Sequence, residues 1–247
     1  MKNDLERVAL ITGASRGVGA NTAYILAEAG LNIVINYHSK RSRAEEVANI
    51  VREKGRQALL AQADLTNESD MKQMIKSVQE KFNRLDVLIL NASGGLEKGK
   101  DADYPMQLNL TAQKRAVDLS LPLMSDGGRI VFVTSHLAHF YGSKPVYPLY
   151  EPVAQSKKAG EEALRAYIPE LSKRDIKLVV VSGDLIEGTI TPKLMQRQNP
   201  GLIEKRQQQA GVLPTVEEFA HAIASSALDD QLETGATIFV GSTDWQL

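Results

Sequence analysis

Glycine stands at positions 13, 17 and 19 in the run Thr12-Gly-Ala-Ser-Arg-Gly-Val-Gly19, directly after an apolar stretch and at the head of a helical pattern. Strand, tight turn and helix in that order make a phosphate cradle. Glycine lets the backbone turn sharply and approach a pyrophosphate, and the free amides and dipole of the helix N-terminus favour negative charge. Gly13, Ser15, Arg16, Gly17, Val18 and Gly19 are therefore candidate contacts to a dinucleotide. In dinucleotide folds an acid at the end of the second strand holds the ribose hydroxyls of NAD, whereas basic residues there accommodate the extra phosphate of NADP. Here that position reads Asn36-Tyr37-His38-Ser39, without an acid, and is followed by Lys40, Arg41 and Arg43. Cations at a helix start oppose its dipole, which a bound anion would compensate, and Arg16 could reach the same anion; the alternative is a solvated basic helix start. The expected cofactor is NADP(H), with Asn36, Tyr37, Ser39, Lys40 and Arg41 around its adenosine end.

The run Thr12-Gly-x-x-x-Gly-x-Gly19 resembles the cofactor motif of the short-chain dehydrogenase/reductases, of the NADP-dependent ketoreductase type, and the resemblance covers nearly the whole chain. Asp64-Leu65 follows the third apolar run, where the resemblance implies contact with adenine. Asn91-Ala92-Ser93-Gly94 is similar to the family's Asn-Ala-Gly motif after the fourth strand, and Gly128-Arg-Ile-Val-Phe-Val-Thr-Ser135 to its fifth strand and catalytic serine. Without the resemblance, Asp64 reads as a turn cap and Asn91 as a bridge between strands. The segment Ser182-Gly183-Asp-Leu-Ile-Glu-Gly-Thr189 stands where the family holds the nicotinamide amide with a Pro-Gly motif and a threonine. Its proline is missing and its threonine comes late, so Gly183 and Thr189 are the nearest counterparts, and Asp184 and Glu187 could instead meet a basic group on the substrate.

Carbonyl reduction by hydride needs a proton donor for the developing alkoxide, a hydroxyl that orients the carbonyl, and a cation that lowers the donor's pKa. The resemblance implies Tyr, Ser and Lys in these roles, with the tyrosine four positions before the lysine on one helix face. Lys157 matches the lysine by its Ser-Lys context, and the tyrosine position is then Val153, which can donate no proton. From Ser135 to Lys157 there are 22 positions, more than the family usually has, and the extra segment carries Tyr147 and Tyr150. Pro152 suits the first turn of a helix, which leaves Tyr150 just outside the helix start with reach into the site. Tyr150 is the preferred donor, its phenol drawn toward working pH by Lys157 and the nicotinamide ring. The alternative is an aromatic lid that only packs on ligand. His136 and His139 rank below it, since loop histidines commonly have no catalytic task. Asn109 is the counterpart of an asparagine that supports a water relay to the lysine, or else an ordinary polar helix residue.

These groups need a scaffold. Short apolar runs at 8–11, 32–36, 58–62, 87–90, 129–134, 177–181 and 237–240 are rich in Val, Ile and Leu, and their near-continuous apolar character fits a parallel sheet covered on both faces. Helical patterns at 18–29, 42–54, 68–82, 106–124, 152–172 and 216–228 alternate with them, and Gly30 and Gly55 close the first two. The expectation is an α/β, Rossmann-type, doubly wound seven-stranded parallel sheet, as one domain over 1–247. The irregular stretches 93–105, 135–151 and 183–214 follow strands four, five and six, so all three meet beyond the carboxyl ends of the strands, where such sheets bind ligands.

The 247 residues are 43% hydrophobic and 24% charged, which excludes a disordered or fibrous chain. Lys and Arg total 29 against 30 Asp and Glu, so no global basic field draws nucleic acid or an anionic membrane. With no cysteine there is neither disulfide nor thiolate chemistry, and no metal site is expected. The charged start and the absence of a long apolar run fit a cytoplasmic protein. The leading function is an NADP(H)-dependent carbonyl reductase or alcohol dehydrogenase acting on a small molecule, assembled as a homodimer or homotetramer. A catalytically silent NADP(H) sensor or partner subunit, which Val153 favours, and non-redox chemistry on the same fold are the alternatives.

Overall fold

Seven runs of Val, Ile and Leu become the strands β1 (Val8–Ile11), β2 (Asn32–Tyr37), β3 (Ala58–Gln62), β4 (Leu85–Leu90), β5 (Met124–Ser135), β6 (Lys177–Gly183) and β7 (Thr237–Val240) of one sheet. The structure is a computed structural model, which describes residues 7–97 and 99–245; positions 1–6, 98 and 246–247 of the expected domain lie outside the described residues. The strand order is β3-β2-β1-β4-β5-β6-β7, and each neighbouring pair is parallel. The chain therefore winds outward in both directions from β1 and β4, and a ligand crevice opens where it reverses.

The helices are α1 (Gly17–Glu28), α2 (Arg41–Glu53), α3 (Glu68–Phe82), α4 (Tyr104–Met106), α5 (Ala112–Ser120), α6 (His136–His139), α7 (Glu151–Arg165), α8 (Ile168–Ser172), α9 (Ile190–Gln198), α10 (Leu202–Ala210) and α11 (Val216–Leu228). Alternation along the strands divides the core. Leu10, Leu88, Ile130 and Val180 pack with α3 and α5, while Ile11, Ile89, Val131 and Val181 pack with α1, α2 and α11. Both faces are thus dry, which is why the strands read as continuous apolar runs. Gly30 and Gly55 take the positive φ expected after α1 and α2.

Three expectations need correction. The helix placed at 106–124 ends at Ser120, because Met124 already pairs with Leu85 in the sheet, and a π-helical turn, Gln107–Thr111, joins α4 to α5. The helix placed at 152–172 is two, since Pro169 starts α8 and cannot continue α7. The stretches 135–151 and 183–214 are not irregular. They hold α6, a 3₁₀ turn at Pro148–Tyr150, α9 and α10, and bury Leu137, Tyr150, Met195 and Leu202 in a third apolar cluster.

Candidate active site

The glycine cradle is built by close approach. Gly13 has φ +65°, and a Cβ there would stand 3.2 Å from Ala92; a Cβ on Gly19 would lie 2.7 Å from the Gly13 carbonyl and the Asn91 amide. Asn91 Nδ2 donates to Thr12 O at 2.8 Å, and the Asn91 and Ala92 amides both donate to Thr12 Oγ1 at 2.9 Å, which ties the end of β4 to the cradle. Asn91 is therefore a strand bridge as well as a cavity wall beside Ser93 and Val18. No acid lies in the first turn of α1, and no side chain caps its N-terminus. Arg16, Ser39, Lys40, Arg41 and Arg43 are exposed, and none of these cations forms an ion pair among the described residues. A backbone too crowded for side chains beside cations without carboxylates suits a phosphorylated dinucleotide.

Other expected cofactor contacts have partners within the chain. Asn36 is buried, its Oδ1 accepting from the Gly13 amide at 3.0 Å and its Nδ2 donating to Ala61 O at 3.2 Å, so its side chain holds the cradle instead of facing a ribose. Tyr37 is 1% exposed within the core, because β2 is covered on both faces. Asp64 Oδ1 accepts from the Thr66 amide and hydroxyl at 2.9 and 2.7 Å, which is the turn-cap role, and Thr66 and His38 hold its carboxyl below the usual range despite partial burial. Leu65 belongs to the core.

One cavity gathers the catalytic candidates: Ser135, Tyr150 and Lys157 line it together. Ser135 ends β5 and caps α6 by accepting from the Ala138 amide at 3.3 Å. Its Oγ lies 3.0 Å from the Tyr150 hydroxyl, which arrives from the 3₁₀ turn immediately before α7. Tyr150 is 4% exposed, and burial raises its pKa, partly offset by the bond to Ser135, so the expected lowering is not found and the phenol stays protonated near neutrality. Lys157 is buried on α7 and desolvation lowers it to about 8. Val153, one turn before it, is buried and does not line the cavity; its Cγ2 would be 2.9 Å from a Cβ on Gly95.

Asn109 sits in the π-helical turn and donates to Gly94 O at 2.9 Å and to Ser156 Oγ at 3.0 Å, so its amide braces the loop after β4 against α7 and does not line the cavity. His136 does line it, with Nδ1 2.8 Å from Ser182 Oγ, and burial lowers its pKa to about 4, which leaves the ring neutral. His139 is committed elsewhere: its Nδ1 is 2.9 Å from buried Glu161, which also accepts from Arg165. Gly183 and Thr189 line the cavity, and a Cβ on Gly183 would strike the Phe219 ring. Asp184 does not await a basic substrate, because both its oxygens accept from buried Arg206, at 2.9 and 2.6 Å, and Glu187 is exposed outside the lining. Arg206, Phe219 and Trp245 line the cavity without a signal in the sequence, since each comes from a segment remote from any motif.

Comparison with known proteins agrees with this geometry. A family model described as short chain dehydrogenase matches residues 7–199. The chain is 32% identical over 190 residues to a 1-cyclohexenylcarbonyl-CoA reductase of Streptomyces collinus, the match spanning 74% of this chain and 66% of that protein. It is 30% identical over 203 residues to a hydroxynaphthalene reductase of Aspergillus fumigatus, across 79% of this chain and 72% of that one. Among solved structures, an angucycline C-6 ketoreductase with bound NADP superposes with a TM-score of 0.80 at 28% identity, covering 96% of this chain and 95% of that chain.

Proposed function

Since the chain belongs to the short-chain dehydrogenase/reductase family of nicotinamide-dependent oxidoreductases, we propose that it is an NADP(H)-dependent carbonyl reductase whose proton donor is Tyr150. The observation that carries this reading is the 3.0 Å contact between Ser135 Oγ and the Tyr150 hydroxyl in the cavity that Lys157 also lines. The cradle at Gly13 to Gly19 would hold the pyrophosphate, and Arg16, Lys40 and Arg41 the additional phosphate. A nicotinamide cofactor held by these residues would supply the hydride for the carbonyl carbon. The Ser135 hydroxyl orients the carbonyl oxygen, and Tyr150 delivers the proton that converts the developing alkoxide to an alcohol. Lys157, cationic below about pH 8, favours the phenolate left behind. Burial keeps Tyr150 protonated until that moment, as a donor must be.

Turnover tests the assignment. Tyr150→Phe lowers kcat by roughly two to four orders of magnitude with NADPH affinity nearly unchanged, whereas full turnover would falsify it and move attention to Tyr147. Val153 favours a second reading, a silent NADP(H) binder, which gains if no carbonyl compound oxidises bound NADPH. The same proposal takes residues 1–247 as one cytoplasmic domain that works as a homodimer or homotetramer on a small carbonyl or alcohol substrate. Light scattering tests the assembly. Among the described residues no helix is long and apolar enough to cross a membrane.

A further inference from the structure

The segment after β7 returns to the cavity. Trp245 is 9% exposed, lines the cavity, and belongs to the same apolar cluster as Tyr147 and Tyr150. Three residues clasp it there. Its indole N–H donates to Pro145 O at 2.8 Å, in the enlarged segment that carries both tyrosines. Lys144 Nζ donates to Thr243 O and lies 4.8 Å from the centres of the Phe140 and Trp245 rings. Arg206 donates to Asp244 O and to Ser242 O, and its charge is met by Asp184 at the end of β6. The clasp therefore joins α10, the end of β6 and the segment before Tyr150 through one strap.

Four of the chain's thirteen aromatic residues, Tyr147, Tyr150, Phe219 and Trp245, line this one cavity. Arg206, the cavity cation beside the strap, is paired with Asp184 and so is not free to hold an anionic substrate, while Lys157, the other basic side chain of the lining with a full charge, is buried on α7 next to the reacting hydroxyls. We propose that Trp245 is a specificity-determining wall of the substrate cavity, selecting an uncharged ketone that carries a flat ring and limiting the ring's size. The proposal rests on the reductase reading for turnover, but not for binding.

Trp245 is the chain's one tryptophan, so its emission reports on this wall alone. Titrating 4-nitroacetophenone, a ketone whose nitroaryl ring quenches indole emission, into protein saturated with NADP should give saturable quenching. In parallel, kcat/KM is compared for acetophenone and the larger 2-acetonaphthone. Trp245→Ala should shift that ratio roughly tenfold toward the larger ketone, a normal effect of remodelling an apolar pocket, with Trp245→Phe intermediate. Quenching that stays linear, or a ratio unchanged within about twofold in folded Trp245→Ala, overturns the proposal. If Trp245→Ala does not fold, the Trp245→Phe ratio decides in its place. If neither ketone oxidises NADPH, the titration alone decides whether Trp245 faces a ring ligand, and the reductase reading is judged separately on other carbonyl compounds.

Discussion

Lys157 joins sequence, burial and pH in one residue. Desolvation on α7 lowers its pKa to about 8 from 10.5, so between those values the unfolded chain holds a proton that the folded chain has released. Stability then rises with pH through that window, because the cost of burying the charge is complete below pH 8 and relieved above it. Lys157→Met should be more stable than the parent at pH 7, and its advantage should shrink by up to about 3 kcal/mol toward pH 10.5, measured by urea unfolding at each pH. A constant difference across the range would show that Lys157 is not desolvated. His136 has the same sign at lower pH. Its pKa, lowered to about 4, makes stability fall as pH drops from 6.5 toward 4, and His136→Gln should flatten that part of the profile.

The elements that carry these groups are locked by contacts with little tolerance. α7 crosses the π-helical turn at Gly160, where a Cβ would lie 2.1 Å from the Asn109 carbonyl. Gly160→Ala must push α7 away from that turn and should cost roughly 1–3 kcal/mol or more, the range for overpacking a filled interior. Chemical denaturation measures this, and a cost near zero would mean that α7 and the turn are not in contact in solution. The displaced helix carries Lys157 and follows Tyr150, so kcat should fall further than stability explains. Asp184→Asn tests the link between β6 and α10, since it leaves the Arg206 cation buried without its counter-charge. A loss of about 3–5 kcal/mol is expected from breaking such a pair on one side.

At the scale of the whole molecule, ligand binding at the sheet's reversal point should register as stability. A ligand present at a hundred times its dissociation constant adds about 2.7 kcal/mol, which for a chain of 247 residues corresponds to a Tm increase of roughly 5–10 °C. NADPH should produce it and NADH at equal concentration should produce much less, because only the additional phosphate meets Arg16, Lys40 and Arg41. Replacing Arg16 and Arg41 by alanine should abolish the difference without lowering the Tm of the free protein, as both are exposed. Equal shifts with the two cofactors would remove the phosphate preference.

What the sequence determined by itself was local. The seven strands follow from short runs rich in Val, Ile and Leu, the cradle from three glycines between strand and helix, and the cofactor preference from an acid missing after Asn36. Each of these is written within a few neighbouring positions, so periodicity and turn chemistry suffice to read it. The same reading located Ser135 and Lys157 and exposed the valine at position 153. Which side chains face the cavity follows from packing between distant segments. Asn36 and Tyr37 are drawn inward because both faces of β2 are covered, and Asp64 caps its own turn. Asp184 meets Arg206 across 22 positions and Trp245 meets Pro145 across 100, and no short motif encodes a contact between segments that far apart. The meeting of Tyr150 with Ser135 is of the same kind: the spacing supplied the reach, and the packing of the 3₁₀ turn against β5 and α7 brought the hydroxyls to 3.0 Å.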